Sequence, residues 1–267
     1  STQAKTLFPY TTLFRSQPVS YQITGGSYQT LDVTLSPGET IIAEAGAMIF
    51  MEEGISYETC LGDGTEPNPG IMGKLFPSGS RPLPCETLFL TYFTNYGRGS
   101  RKISFSTPYV GSIHLIDLAS FNHEIVIQRN AFICGPKGLK LQPYLFNRTG
   151  AAAKNDTMPL EKISGEGEVY VSIGGLLIER ELHNETIHAE TSSIVAFQPG
   201  ISLSVDANDR LKTMVLGNSG ATLATLSGSG KVWMQSHPIK KMIQTITTCI
   251  HQLHLNEGKI LGKFYEE

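Results

Sequence analysis

One segment of this chain occurs three times, and that recurrence limits the fold more tightly than any other feature of the sequence. Residues 38–55, 122–139 and 184–201 align without a gap, and internal repetition at this scale marks a chain built from copies of one small structural unit. Each copy opens on Gly38, Asn122 or Asn184, residue types that tolerate the positive φ of a tight turn. Ile41, Ile125 and Ile187 follow, with Ala43, Ile127 and Ala189 two positions later. That spacing sets both side chains on one face of a strand. Glu44, Gln128 and Glu190 then point the other way. Ala47, Ala131 and Ser193 put a small residue ahead of an apolar run, and Gly54, Gly138 and Gly200 close each copy sixteen residues after it opened.

A second echo lies downstream. Gly97-Arg-Gly99, Gly165-Glu-Gly167 and Gly228-Ser-Gly230 each precede an alternating segment: Ile103-Ser-Phe105, Val169-Tyr-Val171 and Val232-Trp-Met234. Short strands at regular intervals, glycine-rich turns and little 3.6-residue periodicity predict an all-β fold. The expectation is three repeated β units in a pseudo-threefold arrangement, of β-sandwich or double-stranded β-helix type. The units divide as 21–107, 108–171 and 172–245, with a variable tail over 246–267. Ile239 to Ile250 is the best helix candidate.

Composition narrows function by exclusion. With 40% hydrophobic and 17% charged residues the chain can bury a core, and a net charge of −3 supplies no basic field for nucleic acid. Cys60, Cys85, Cys134 and Cys249 lie far apart with no paired spacing, so neither a zinc site nor a disulfide framework is indicated. No apolar run is long enough for a membrane span and no secretion signal is legible, so a cytoplasmic location, with membrane-peripheral contact as its variant, is expected. Asn147-Arg148-Thr149 and Asn184-Glu185-Thr186 match the glycosylation pattern, a match without consequence in the absence of a secretion route. Residues 1–16 contain Thr6-Leu-Phe-Pro-Tyr-Thr-Thr-Leu-Phe-Arg-Ser16, which matches the translation of a short-read sequencing adapter codon for codon. They are read as an assembly artefact, with no expected part in the fold.

Three stretches, Ala43-Glu-Ala-Gly-Ala-Met48, Pro108-Tyr-Val-Gly-Ser-Ile-His-Leu-Ile-Asp117 and Gly228-Ser-Gly-Lys-Val-Trp233, resemble the altered inheritance of mitochondria protein 24 family, also called mitochondrial biogenesis proteins. The resemblance runs from about Tyr21 to Ile239. It implies a triplication of the unit of the tryptophan RNA-binding attenuator protein, a TRAP-like fold. It implies no catalytic residues, and the family name reflects a role of fungal members in mitochondrial inner-membrane organisation.

Gly70-Ile-Met-Gly-Lys74 fails as a phosphate loop, because Asn68 stands where the first glycine is required and Leu75 where Ser or Thr is. His183, Glu185 and His188 suggest a metal site, but unbroken alternation sets His183 and Glu185 on one face and His188 on the other. Tyr92, Phe93, Tyr96, Arg98, Arg101 and Lys102 mix aromatic and basic residues as RNA readers do, yet read more simply as a strand, a turn and the next strand. No cofactor is expected. The expected function is a non-catalytic binding or scaffolding protein, with a protein partner or membrane surface, or a second copy of itself, as the occupant. The alternatives are a metal-dependent or other enzyme of unrecognised type and an RNA-binding protein by fold analogy.

The repeats also locate an insertion. From the closing glycine to the next Gly-x-Gly the second and third units take 27 and 28 residues, whereas the first takes 43. The extra length falls in residues 61–84, a long irregular loop of the sort that carries function. Its apolar Ile71, Met72, Leu75 and Phe76 lie between Lys74 and Arg81, a pattern suited to a partner or an anionic membrane surface.

Overall fold

The structure is a computed structural model, and it describes residues 20–61, 89–149, 158–206 and 223–250. Within them the chain is all-β apart from short 3-10 turns and one helix over 239–250. The first unit supplies β1 (Ser20–Thr24), β2 (Thr30–Leu35), β3 (Thr40–Glu44), β4 (Met48–Met51), β5 (Ile55–Leu61), β6 (Phe89–Asn95) and β7 (Arg101–Ser106). The second supplies β8 (Gly111–Asp117), β9 (Glu124–Gln128), β10 (Phe132–Pro136), β11 (Lys140–Pro143), β12 (Asn147–Thr149), β13 (Leu160–Ser164) and β14 (Glu168–Gly174). The third supplies β15 (Leu177–Glu190), β16 (Ile194–Phe197), β17 (Ile201–Asp206) and β18 (Leu223–Gln235).

The repeated segments take one local form. In each, a strand (β3, β9 or the end of β15) leads through a turn of three residues into a second strand (β4, β10 or β16). The opening residues Gly38, Asn122 and Asn184 all have positive φ, at 81°, 55° and 59°, the backbone state that Gly and Asn reach at least cost. A ladder irregularity falls at the same step of each copy, between Met48 and Phe50, Phe132 and Cys134, and Ile194 and Ala196. An extra residue there bends the strand and strengthens its twist. Gly200 serves differently from the other closing glycines: a Cβ on it would lie 2.9 Å from the Ser229 carbonyl oxygen.

Three sheets result, ordered β1-β2-β7-β4, then β5-β6-β3-β10-β14-β8, then β11-β13-β9-β16-β18-β17-β12 with β15 also on β18; every pairing is antiparallel except that of β12 with β17, which is parallel. The second sheet joins unit one to unit two through β3 and β10, pairing Ala43 with Cys134 and Ile42 with Gly135. The third joins unit two to unit three through β9 and β16, pairing Ile127 with Ala196 and Val126 with Phe197. These two junctions use equivalent residues in one register. Among the described residues no pairing joins β15 to β4, which is the junction a closed pseudo-threefold arrangement requires.

Core packing follows the junctions. Ile42, Ile125, Ile127, Phe132, Val195, Ala196 and Trp233 share one cluster that spans all three units. Their burial supplies the main driving force, about 2 kcal/mol for each large aliphatic side chain. Trp233 keeps its indole N–H satisfied by donating to Glu179 Oε1 at 2.7 Å. Asn95, fully buried at the end of β6, donates through Nδ2 to the carbonyls of Leu35 and Gly99 and accepts from the Gly97 amide. It thereby supports the first Gly-x-Gly turn with side-chain hydrogen bonds.

Candidate functional site

Two places carry features that packing alone does not require. The first is a cleft of about 440 Å³ where the turn after β3 meets the turn after β9; Glu44, Ala47, Tyr109, Asn130, Phe132 and Ile133 are among its walls. Beneath it Arg129 is held by two contacts: its amide donates to the Pro159 carbonyl, and its Nε donates to Glu161 Oε1 at 2.6 Å. Glu161 is buried, and its other oxygen has no hydrogen-bond partner among the described residues.

Electrostatics in this cleft follow from burial. Desolvation pushes the Glu44 carboxyl up to about 7, the charge of Glu161 adds to the rise, and the Arg129 guanidinium opposes it. Burial also raises Glu161, against the hydrogen bond and charge of Arg129, and raises the Tyr109 hydroxyl. A carboxyl poised near neutral pH can donate or accept a proton. Cys134 is no nucleophile for such chemistry, since complete burial holds its thiol far above the range where thiolate forms.

The second place is the pair of strand edges left without a neighbour. β4 lies at the end of its sheet, and Met48, Ile49 and Phe50 are 37%, 49% and 46% exposed. Its counterparts in the other units, Phe132-Ile-Cys134 and Ile194-Val-Ala196, are buried throughout. The last residues of β15 show the same contrast: Ile187 and Ala189 are half-buried and His188 is exposed, where Ile41, Ala43, Ile125 and Ile127 are buried. An uncharged, proline-free edge strand is a template for pairing with another chain. β4 has neither of those protections.

The residues singled out from the sequence fare differently. Ile71, Met72, Lys74, Leu75, Phe76 and Arg81 lie outside the described residues, as do residues 1–16 and Gly70–Lys74. For the His183, Glu185 and His188 group the expected facing is corrected. Asn184 takes a left-handed conformation and interrupts the ladder, so His183 pairs with Ser229 and Glu185 with its neighbour Gly228. Residues paired across an antiparallel ladder share a face, so the bulge turns Glu185 away from His183. His188, opposite Thr225 and bonded to its hydroxyl at 3.1 Å, returns to the His183 face. The two imidazoles stand four ladder steps apart, roughly 13 Å, too far for one ion. Among the described residues no group of three His, Cys, Asp or Glu side chains could hold a metal.

The aromatic and basic residues do not form one patch. Phe93 is buried and Tyr92 packs on the core from the opposite face of β6, while Tyr96 is exposed. Arg101 donates to the Glu53 carbonyl and Lys102 pairs with Asp32 at 3.5 Å. The sequence reading missed Glu44, Arg129 and Glu161 as a group, because residues 85 and 32 positions apart meet only through sheet pairing. It also passed over Met48, Ile49 and Phe50, whose apolar run is the same signal that marks buried strands in the other copies.

Residues 21–237 match the mitochondrial biogenesis AIM24 family. The chain belongs to that family. The match takes in strands β2 to β18 and both candidate places, and it ends just before the helix at 239–250. The AIM24 fold of this chain is similar to the crystal structure of a Streptococcus pyogenes protein from a structural genomics programme, with a TM-score of 0.65 and 15% identity over 86% of this chain and 99% of the other. At that identity the likeness concerns fold alone. No curated protein matches the chain.

The motif residues now have physical roles. A Cβ on Gly111 would lie 2.0 Å from the Ile173 carbonyl oxygen, so only glycine lets β8 lie this close to β14. Gly228 and Gly230 have φ of 129° and 140°, allowing β18 to bend between its pairing with β17 and its pairing with β16.

Proposed function

We propose that this AIM24 family member is a non-catalytic binding or scaffolding protein that takes up a protein partner by strand addition at the open edges of β4 and β15. The observation that supports the reading is the exposure of Met48, Ile49 and Phe50 on an unpaired strand edge whose two counterparts are buried. Strand addition satisfies the free backbone groups of an edge and reads alternate side chains for specificity. The loop at 61–84, with Ile71, Met72, Lys74, Leu75, Phe76 and Arg81, extends the same reading as a second contact for that partner. The proposed setting is cytoplasmic, with membrane-peripheral contact as the variant. No helix among the described residues is long and apolar enough to cross a membrane.

Chemical cross-linking of the tagged full chain in its native extract, followed by peptide mapping, tests this. Cross-links to partner proteins are expected to concentrate at 45–51 and 185–192 and to vanish in Ile49→Lys. Cross-links spread over the outer faces, unaffected by Ile49→Lys, would overturn the proposal. A second reading, acid–base catalysis in the cleft, is favoured by the Glu44 carboxyl with its pKa of about 7.

A further inference from the structure

The partner of the open edges can be named from the pairing registers, on the reading that those edges are the binding site. Junction one places Ala43 opposite Cys134 and Ile42 opposite Gly135. Junction two places Ile127 opposite Ala196 and Val126 opposite Phe197. In repeat positions these are the same two pairs. The third member of the series would set Ala189 opposite Phe50 and His188 opposite Met51. Both halves of that junction exist in this chain, yet among the described residues they do not meet: β15 pairs only with β18, and β4 only with β7.

We infer that a second copy of this chain completes the third junction, the β4 edge of each copy pairing with the 185–190 edge of the other about a twofold axis. Such an arrangement satisfies both free edges of both chains at once, which is the self-complementarity a twofold interface requires. Side chains agree with it. Exposed along β15 are Glu179, Arg180, Glu181 and Glu185, charges that discourage indiscriminate pairing along most of its length. The stretch Ile187-His-Ala189 is free of permanent charge, and it is the part that meets β4.

The apolar surface also continues past the strand. Lys241 pairs with Glu190 at the end of β15, which sets the start of the 239–250 helix beside the seam. Met242, Ile246 and Ile250 on that helix, 58%, 47% and 49% exposed, follow one another at four-residue spacing and so form one apolar stripe. A twofold partner seated on β4 and β15 has this stripe at its margin to cover.

The test is a disulfide trap in the full chain. Phe50→Cys and Ala189→Cys are combined in a background with Cys60, Cys85 and Cys249 replaced by serine, and equal amounts of ¹⁵N-labelled and unlabelled protein are mixed before oxidation. A disulfide-linked dimer whose 50–189 peptide pair contains both isotopes is expected, with both single variants failing to form that pair. Unmodified protein should sediment as a concentration-dependent dimer, and Ile49→Lys should weaken the dimer at least tenfold while leaving the thermal transition of the dilute monomer unchanged. A 50–189 link confined to one chain would show the ring closing on itself and overturn the inference. So would the absence of any link together with a monomer at every concentration. A monomer that still gives partner cross-links at 45–51 and 185–192 overturns the self-pairing alone, whereas loss of both overturns the binding site as well.

Discussion

The seam between β9 and β16 and the open edges of β4 and β15 are built from equivalent residues of one repeat, yet one is core and the other is surface. In the closed seam Ile125, Ile127 and Ala196 are buried; at the open edges Ile187, Ala189 and Phe50 are not. Their turns differ in the same way. The turn after β9 holds Arg129 against buried Glu161, whereas Glu190, at the end of β15 just before its turn, meets Lys241, itself half exposed. The difference teaches that a repeated sequence fixes the form of each unit but leaves the use of its edges to its neighbours. The open edge is where the unit still has binding capacity.

The sharpest break in this comparison comes from the two ion pairs. Arg129→Met leaves Glu161 buried without its cation and should cost about 3–5 kcal/mol in urea unfolding at pH 8, much of it recovered at acidic pH where Glu161 is neutral. Lys241→Met should cost less, about 1–2 kcal/mol, because the Lys241 side chain is half exposed and Glu190, though buried, retains the Ser192 hydroxyl as a donor. Equal losses would mean that the two turns are equivalent after all.

Matched truncations give the next largest contrast. Ile125→Ala empties a fully buried site and is expected to cost about 2–5 kcal/mol. Ile187→Ala, at the same repeat position, should cost about 1 kcal/mol in dilute monomer, where no partner covers it. If the Ile187→Ala loss grows with protein concentration, the edge is being covered by association.

The cleft between the first two units adds a pH signature. Glu44 holds its proton more tightly folded than unfolded, so the folded state binds more protons between pH 4.5 and about 7. Stability should therefore fall as pH rises through that window. Glu44→Gln should flatten the fall, raising the urea midpoint at pH 8 and leaving it unchanged at pH 4. A variant as pH-sensitive as the parent would assign the slope to other groups.

The smallest effect expected is that of removing residues 1–16. If residues 1–16 are adapter-encoded they were never selected to pack here, and deletion should change stability by less than about 0.5 kcal/mol. A melting curve shifted by several degrees would contradict that reading.

Much of the unit was legible in the sequence because it depends on neighbours along the chain. Asn122 and Asn184 announced left-handed turns, the alternation Ile125-Val-Ile127 announced a strand, and residues 239–250 announced a helix. Each rests on local backbone preference or on a period that one segment displays by itself. The facing of His183 and Glu185 failed because a single left-handed residue shifts the ladder, and alternation counted along the strand does not register it. The cleft failed for a different reason: Glu44 and Glu161 hold their protons more tightly only when strands distant in sequence bring them together beside Arg129 and exclude water. Likewise Met48-Ile-Phe-Met51 reads as a core strand wherever a neighbour covers it. The sequence by itself thus determined three strand–turn–strand units and their turns, while the tertiary structure decided which edges meet, because hydrogen-bond ladders between distant strands depend on global register and on what remains to cover the last edge.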